Sequence, residues 1–184
     1  MYGMVNQAIR GLVIENFSED KWVAIASKAD SPTDFVSLES YDDDITYQLV
    51  GAAAEVLEME PSLILQTFGR YWIENIAMAA YPNLMNKTGT NFEKFVANLD
   101  HLHSRIKATF QNYKPPSFRV KSISDGVFMV DYYSEREGLL PFVEGLLDGL
   151  GAHFEMKVTL EHIPDDEHPM PCKRMKLHYC DLNA

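Results

Sequence analysis

The fold is decided by residues 92–136, which read FEKFVANLDHLHSRIKATFQNYKPPSFRVKSISDGVFMVDYYSER. The first half of this stretch repeats apolar residues at helical spacing, and Pro115-Pro116 prevents the helix from continuing. Two runs of strand-forming residues follow, at 117–123 and 127–133. They are joined by Ser124, Asp125 and Gly126, and because Asp and Gly tolerate the backbone angles of tight turns, we predict a β-hairpin.

The elements on either side of this stretch complete an α+β pattern. Amphipathic spacing predicts helices over 5–17, 19–28, 45–57, 62–79 and 91–110, and again over 139–154. Residues 81–90 have the composition of a turn, and 155–162 and 174–179 resemble two further strands. We therefore predict a single domain, with a helical N-terminal lobe over about 1–60. An α/β lobe over about 61–184 would carry a four-stranded antiparallel sheet.

Composition excludes several classes of partner. The formal net charge of −11 repels nucleic acid and anionic membrane surfaces, so neither is an expected partner. The two cysteines, Cys172 and Cys180, form no disulfide framework and favour a reducing cytoplasm. We also expect no membrane span, because no apolar run approaches the roughly 20 residues that a bilayer requires.

One histidine lies on the apolar stripe of the helix over 91–110. At about 100° per residue, His103 falls roughly 40° from Leu99 and close to Val96 and Ile106, whereas His101 points away at about 200°. An imidazole in an apolar interior needs a hydrogen-bonding neighbour or a metal for its nitrogens. Two interpretations remain open for His103, a core histidine bonded to a backbone carbonyl or a ligand of a metal such as haem iron.

A second cluster of polar side chains ends the hairpin. Residues two apart on a strand share a face, so Tyr132, Ser134 and Arg136 would present three donors in one row. A haem carries two propionates, and an arginine pairs with a carboxylate through two parallel hydrogen bonds. The alternative is a solvated strand edge on which Arg136 pairs with Glu135, with Glu137 or with nothing.

The order of these motifs resembles the H-NOX family, the haem nitric oxide/oxygen-binding domains. The chain has MYG at 1–3, NLDHLH at 98–103, PPSF at 115–118, YYSER at 132–136 and GLLPFVEGLLDGLG at 138–151. The resemblance spans essentially the whole chain and implies haem b held between two lobes. It implies that His103 binds the iron, that Tyr132, Ser134 and Arg136 bind the propionates, and that Pro116 lies against the haem face.

The resemblance also bears on gas selectivity. Family members that hold oxygen use a distal tyrosine hydroxyl, and the matching position here is Pro141, which has no donor. Bound O₂ benefits from such a hydrogen bond, whereas NO binds ferrous iron tightly without one. We therefore expect NO rather than O₂, with CO as a further possible ligand. Candidate residues for the distal wall, which could equally be ordinary core, are Val5, Ile9, Trp72, Leu140 and Phe142.

The resemblance implies a sensor and not an enzyme. The implied mechanism is that NO weakens the bond from the iron to His103, and the two lobes then move against each other. Bacterial members that stand alone regulate a separate histidine kinase or a cyclic-di-GMP enzyme, and a protein partner of that class is implied. No Ser-His-Asp order, P-loop, GxGxxG or HExxH motif indicates catalysis.

Two other functions remain as alternatives. The first is a zinc-binding module, for which the candidate ligands are His162, His168, Cys172, His178 and Cys180. Their spacing fits no standard zinc finger, and the upstream cysteine that some relatives of the family use for zinc is replaced by Leu140. The second is a helical adaptor without a cofactor, which would also explain the acidic surface and the apolar stripes.

Overall fold

A computed structural model describes residues 1–110, 113–164 and 172–182. Its helices are Gly3–Asn16 (α1), Glu19–Lys28 (α2), Asp43–Leu57 (α3), Pro61–Tyr71 (α4), Met78–Ala80 (α5), Pro82–Thr88 (α6), Phe92–Ala97 (α7), Leu99–Thr109 (α8) and Leu140–His153 (α9). A π-helical segment, Trp72–Ala77, joins α4 to α5. The strands are Ser117–Ser124 (β1), Val127–Tyr133 (β2), Met156–Ile163 (β3) and Lys173–Asp181 (β4).

The four strands form one antiparallel sheet in the order β1-β2-β4-β3. The predicted hairpin joins β1 to β2, and Gly126 occupies the left-handed region of its turn with φ 72°. The predicted α+β class and the four-stranded antiparallel sheet are therefore confirmed. The polar stretch 164–171, whose proline-containing composition predicts a hairpin loop, lies almost wholly outside the described residues.

Two hydrophobic cores divide the molecule. One lies among α1, α2, α3 and α4, and Tyr71 is the last of its buried residues along the chain. The other lies between the inner face of the sheet and the helices α6 to α9. Trp72 packs against both cores, so the π-helical segment begins where the two lobes meet. Among the residues described, no helix is long and apolar enough to cross a membrane.

One predicted turn and two predicted helices need correction. Residues 82–88 form α6 rather than a turn, because Pro82 occupies the first turn of a helix, where its missing N–H costs nothing. The predicted helix over 91–110 is divided at Asn98, whose side-chain Nδ2 donates to the Thr88 carbonyl at 2.8 Å. An asparagine that bonds a distant carbonyl competes with the regular helix at its own position. The helix predicted over 62–79 widens into the π-helical segment at Trp72.

Glycines allow α4 and α9 to pack closely across the boundary between the two cores. A Cβ atom at Gly69 would lie 2.2 Å from the Phe142 carbonyl oxygen, and one at Gly145 would lie 2.0 Å from the Gln66 carbonyl oxygen. Any side chain at either position would therefore force the helices apart. Both glycines are buried at this crossing, so the two helix backbones meet there directly.

Candidate functional site

His103 lies in the middle of α8, and hydrogen bonds fix the start of that helix to the sheet. The Asp100 carboxylate accepts a bond from Ser117 Oγ at 2.9 Å and another from the Phe118 backbone N–H at 2.9 Å. The stripe of α8 is buried at Leu99 and Leu102, whereas His101 is exposed, as the helical spacing predicts. Asp100 is thus a positioning residue that the sequence did not single out.

The His103 imidazole is enclosed mainly by rings. Its ring stacks on Phe118 with centroids 5.6 Å apart, and the Tyr113 ring lies 6.4 Å away. Burial lowers the pKa of His103 from 6.5 to about 4, although the Asp100 charge and a hydrogen bond with the Pro116 backbone raise it. The imidazole is therefore neutral near pH 7, with a free lone pair. Its Nδ1 is buried without a hydrogen-bond partner among the described residues.

The predicted row of donors is only partly on a strand. Tyr132 is buried in β2, but β2 ends at Tyr133, so Ser134 and Arg136 lie in the following loop rather than on one strand face. A turn brings the three together instead. Ser134 Oγ accepts the Arg136 backbone N–H at 3.0 Å, and the Ser134 hydroxyl is hydrogen-bonded to the Tyr132 phenol. Burial raises the pKa of Tyr132, which stays a neutral donor.

Arg136 pairs with a residue that the sequence did not connect to it. Its Nε and Nη2 donate to the two carboxylate oxygens of Asp43 at 2.6 and 3.3 Å, and its Nη1 donates to the Lys114 carbonyl at 2.6 Å. The Met1 amino group bonds the same Asp43 carboxylate at 2.5 Å. Desolvation raises the pKa of Asp43, but the bonds from Arg136 and the amino group outweigh it, so the pKa is lowered.

One aromatic ring connects these two groups of residues. The Phe118 ring stacks on His103 on one side and lies 5.3 Å from the Tyr132 ring on the other. The segment before β1 makes a second connection, since Lys114 accepts from Arg136 while the Pro116 backbone lies against His103. The fold therefore brings His103, Pro116 and the three donors into one site.

The predicted distal residues are divided between the two hydrophobic cores, and Trp72 packs against both. Ile9 is buried in the helical core, and Val5 packs against that core from the same helix. The Phe68 ring joins Trp72, at 6.1 Å, to Phe142, at 5.0 Å. Leu140 and Pro141 begin α9 and are half-buried, with Leu140 against the sheet core.

The candidate zinc ligands that the structure describes do not form a metal site. His162 Nε2 bonds Glu144 at 2.9 Å and His178 Nε2 lies 3.4 Å from Glu161, while His168 lies outside the described residues. Within 1–110, 113–164 and 172–182, no three His, Cys, Asp or Glu side chains could hold a metal ion. A groove of about 440 Å³ between α4, α9 and β3 also lies away from His103.

The residues of the site fit a haem. A neutral, half-buried imidazole whose Nδ1 has no hydrogen-bond partner among the described residues is a suitable iron ligand, and the neighbouring rings of Phe118 and Tyr113 suit a porphyrin. Arg136 uses three of its five N–H groups on protein oxygens, so two remain for a propionate beside the hydroxyls of Tyr132 and Ser134.

Comparison with known proteins agrees with this fit. The model of the Haem-NO-binding family matches residues 2–162. The chain belongs to this family, the H-NOX domains, which bind haem and act as gas sensors of the soluble guanylate cyclase type. It is 28% identical over 165 residues to soluble guanylate cyclase gcy-32 of Caenorhabditis elegans, covering 87% of this chain and 24% of that protein. It is 36% identical over 91 residues to the guanylate cyclase soluble subunit beta-2 of Rattus norvegicus, covering 50% of this chain and 13% of that protein.

Solved structures show the same fold at low sequence identity. An H-NOX protein from S. oneidensis in the Fe(II)NO state superposes with a TM-score of 0.86 at 20% identity, covering 98% of this chain and all of that one. An oxygen-binding H-NOX domain related to soluble guanylate cyclases gives a TM-score of 0.81 at 16% identity, covering 99% and 97%. The chain spans about a quarter of the curated cyclase that it matches over 165 residues, so it corresponds to the sensor part of such proteins.

Proposed function

We propose that this chain binds haem b through His103 and senses nitric oxide. The observation that carries the proposal is the neutral imidazole of the half-buried His103, whose buried Nδ1 has no hydrogen-bond partner among the described residues. When bound, the haem would supply a ferrous iron able to take a diatomic gas. Tyr132, Ser134 and Arg136 would hold the propionates, and Pro116 would lie against the porphyrin.

NO is the proposed physiological gas because the distal residues offer no hydroxyl. Pro141 has no donor, and Leu140 and Phe142 on either side are apolar. Trp72 has an indole N–H, but its position between two hydrophobic cores is that of a packing residue. A ligand that needs a hydrogen bond, as O₂ does, would therefore be held poorly, whereas NO and CO would not depend on one.

The proposed signal starts at His103. His103 would hold the haem, and a weaker bond there would release α8; Asp100 would then pass a displacement of α8 to the start of β1 through its two hydrogen bonds. A separate effector, of the histidine kinase or cyclic-di-GMP enzyme class, would respond only if it binds the two states with different affinity. The proposed setting is the cytoplasm, which the free thiols of Cys172 and Cys180 support.

An absorption spectrum tests the proposal. The purified ferrous protein is expected to show a Soret band that shifts with NO and stays unchanged in air. His103→Gly should lose the native ligation, while the matched change His101→Gly, on the exposed side of the same helix, should leave the spectrum intact. A folded but colourless product would contradict the proposal and favour an adaptor without a cofactor.

A further inference from the structure

The outer face of the sheet carries a charge opposite to that of the whole chain. The helices α6 to α9 cover the inner face, and among the described residues the outer side chains are exposed or half-exposed. Among the residues that the structure describes, the register places five cations on the outer face, Arg119, Lys121, Lys157, Arg174 and Lys176, with two anions, Asp131 and Glu161. The face is therefore +3, and since the chain is −11, the rest carries −14.

The two anions are already neutralised within the face. Arg174 donates to both oxygens of Asp131 at 2.6 and 2.9 Å, and Lys176 pairs with Glu161 at 3.0 Å. Two of the three remaining cations, Arg119 and Lys121, point outward two residues apart on the edge strand β1, and the third, Lys157, is on β3 at the other edge. Arg119 lies 5.0 Å above the ring of Tyr133, and Asp131 is directly opposite it on β2.

Apolar side chains lie beside these cations. Met129 is directly opposite Lys121 on one side and Lys176 on the other, and Val127 and Tyr133 are half-exposed on the same strand. An apolar centre with a charged rim is the usual composition of a protein interface. We name the outward residues Arg119, Lys121, Val127, Met129, Tyr133 and Lys176 the outer-sheet patch.

We propose that the outer-sheet patch docks an acidic, partly apolar surface of the effector protein. The inference rests on the proposed function, in that the domain signals to a separate protein, and it assigns the surface used. Four strands about 4.8 Å apart make the face only about 15 Å wide. A duplex or a bilayer would extend beyond it and meet the −14 of the remaining surface, whereas a local acidic patch on a protein would not.

The charge also argues against a symmetric pair of copies. A two-fold contact would place each patch against itself, so Arg119 and Lys121 of one copy would meet cations of the other. Such like-charge juxtaposition is unfavourable, and it is absent when the partner is acidic.

The test uses a defined acidic probe with the full chain carrying haem. The probe is a peptide of alternating glutamate and valine, about twelve residues long, bearing a neutral dye, and its counterpart replaces glutamate with lysine. We expect the acidic peptide to bind and the basic one not to bind. Hydrogen exchange should show protection in β1 and β2. The double variant Arg119→Glu with Lys121→Glu should weaken binding about tenfold.

A matched variant controls for net charge. Lys87→Glu with Lys94→Glu makes the same change on the exposed sides of α6 and α7, which pack on the opposite face of the sheet. It should change the affinity less than about twofold. Equal losses in both double variants, or binding of both peptides alike, would overturn the proposal. Binding of phosphatidylserine vesicles that depends on Arg119 and Lys121 would also overturn it. So would self-association of the wild type that disappears in the double variant of Arg119 and Lys121, the sheet variant.

Measuring the Soret response to NO in the same variants separates this proposal from the proposed function. The sheet variant should keep the response, because neither Arg119 nor Lys121 belongs to the haem site. If the wild-type protein shows no Soret response to NO, gas sensing is refuted, and the peptide experiment then decides the docking surface by itself. A normal response without peptide binding refutes only the docking surface.

Discussion

Folding places the imidazole of His103 where it cannot readily hold a proton. The ring is enclosed by Phe118 and Tyr113, and burial keeps its pKa near 4. A histidine in this state offers a lone pair to a metal without competition from protons near pH 7. The same burial makes the apoprotein sensitive to acid, because the unfolded chain takes up a proton that the folded chain refuses.

The sign of this pH dependence follows from the two pKa values. Between about 6.5 and 4 the unfolded chain binds more protons at His103, so the free energy of unfolding of the apoprotein falls as the pH falls. Neutral His103 contributes about 3 kcal/mol to the free energy of unfolding of the apoprotein. This contribution is fully present above pH 6.5 and is lost as the pH falls to about 4. Urea unfolding at about pH 7 and about pH 4.5 should show a smaller acid loss for His103→Gln than for the wild type. Identical losses would contradict the burial of this residue.

The position of His103 could be predicted from the sequence, but the partner of Arg136 could not. Helical spacing suffices to place His103 on the inner side of α8, since Leu99 and Leu102 are local neighbours. The bond from Arg136 to Asp43 joins residues 93 positions apart, so no local pattern predicts it. The acidic run at Asp42, Asp43 and Asp44 has an ordinary explanation as the start of a helix, which conceals the long-range role of Asp43.

At the scale of elements, the crossing of α4 and α9 depends on two glycines. Gly69 and Gly145 let the helix backbones touch, and each position is filled by a carbonyl of the opposite helix. These helices belong to different cores, so their contact sets the distance between the lobes. Hydrophobic periodicity predicted both helices but not their contact. Glycine has no side chain, so it adds nothing to the apolar pattern that such a prediction uses.

Substitution at this crossing should be costly. Gly145→Ala places a Cβ atom 2.0 Å from the Gln66 carbonyl oxygen, and the backbone cannot yield without separating the helices. We expect a loss of about 2 kcal/mol or more in the free energy of unfolding, measured in urea. Gly51→Ala is the control, because its Cβ meets nothing within 4 Å in α3, and it should stabilise by about 0.5–1 kcal/mol. Similar effects of the two substitutions would contradict the packing described.

The corrected elements share a tertiary cause. The Nδ2 of Asn98 reaches the carbonyl at the end of α6, and this bond divides a helix that the apolar spacing predicted as continuous. Proline and glycine near 82–89 indicated a turn, but the intervening residues bury Met85 and so form a helix. The loop after β2 differs for a similar reason, since Arg136 turns toward α3 rather than continuing the strand.

At the scale of the whole molecule, two contacts connect the helical lobe to the end of β2. Asp43 at the start of α3 holds the Arg136 guanidinium, and the Tyr47 hydroxyl in the same helix donates to the Glu137 carbonyl at 3.0 Å. The group proposed to grip the propionates is therefore also attached to the other lobe. A change in the hydrogen bonds of Arg136 would therefore affect both lobes.

Asp43→Asn tests this connection. The amide cannot balance the Arg136 charge, and we expect the free energy of unfolding to fall by about 1 kcal/mol, a modest loss because the pair is partly exposed. Asp44→Asn makes the same change at the exposed neighbouring position of α3 and should cost only a few tenths of a kcal/mol. Chemical denaturation of both variants measures the difference. Equal losses would mean that Asp43 acts only on the helix dipole.

The attachment of haem iron to His103 is tested most directly by resonance Raman spectroscopy of the ferrous protein. The wild type should show an iron–histidine stretching band. His103→Gly should lose this band and regain a comparable one when free imidazole is added, while His101→Gly should keep it unchanged. A band that persists unchanged in His103→Gly without imidazole would contradict the account, because another residue would then hold the iron.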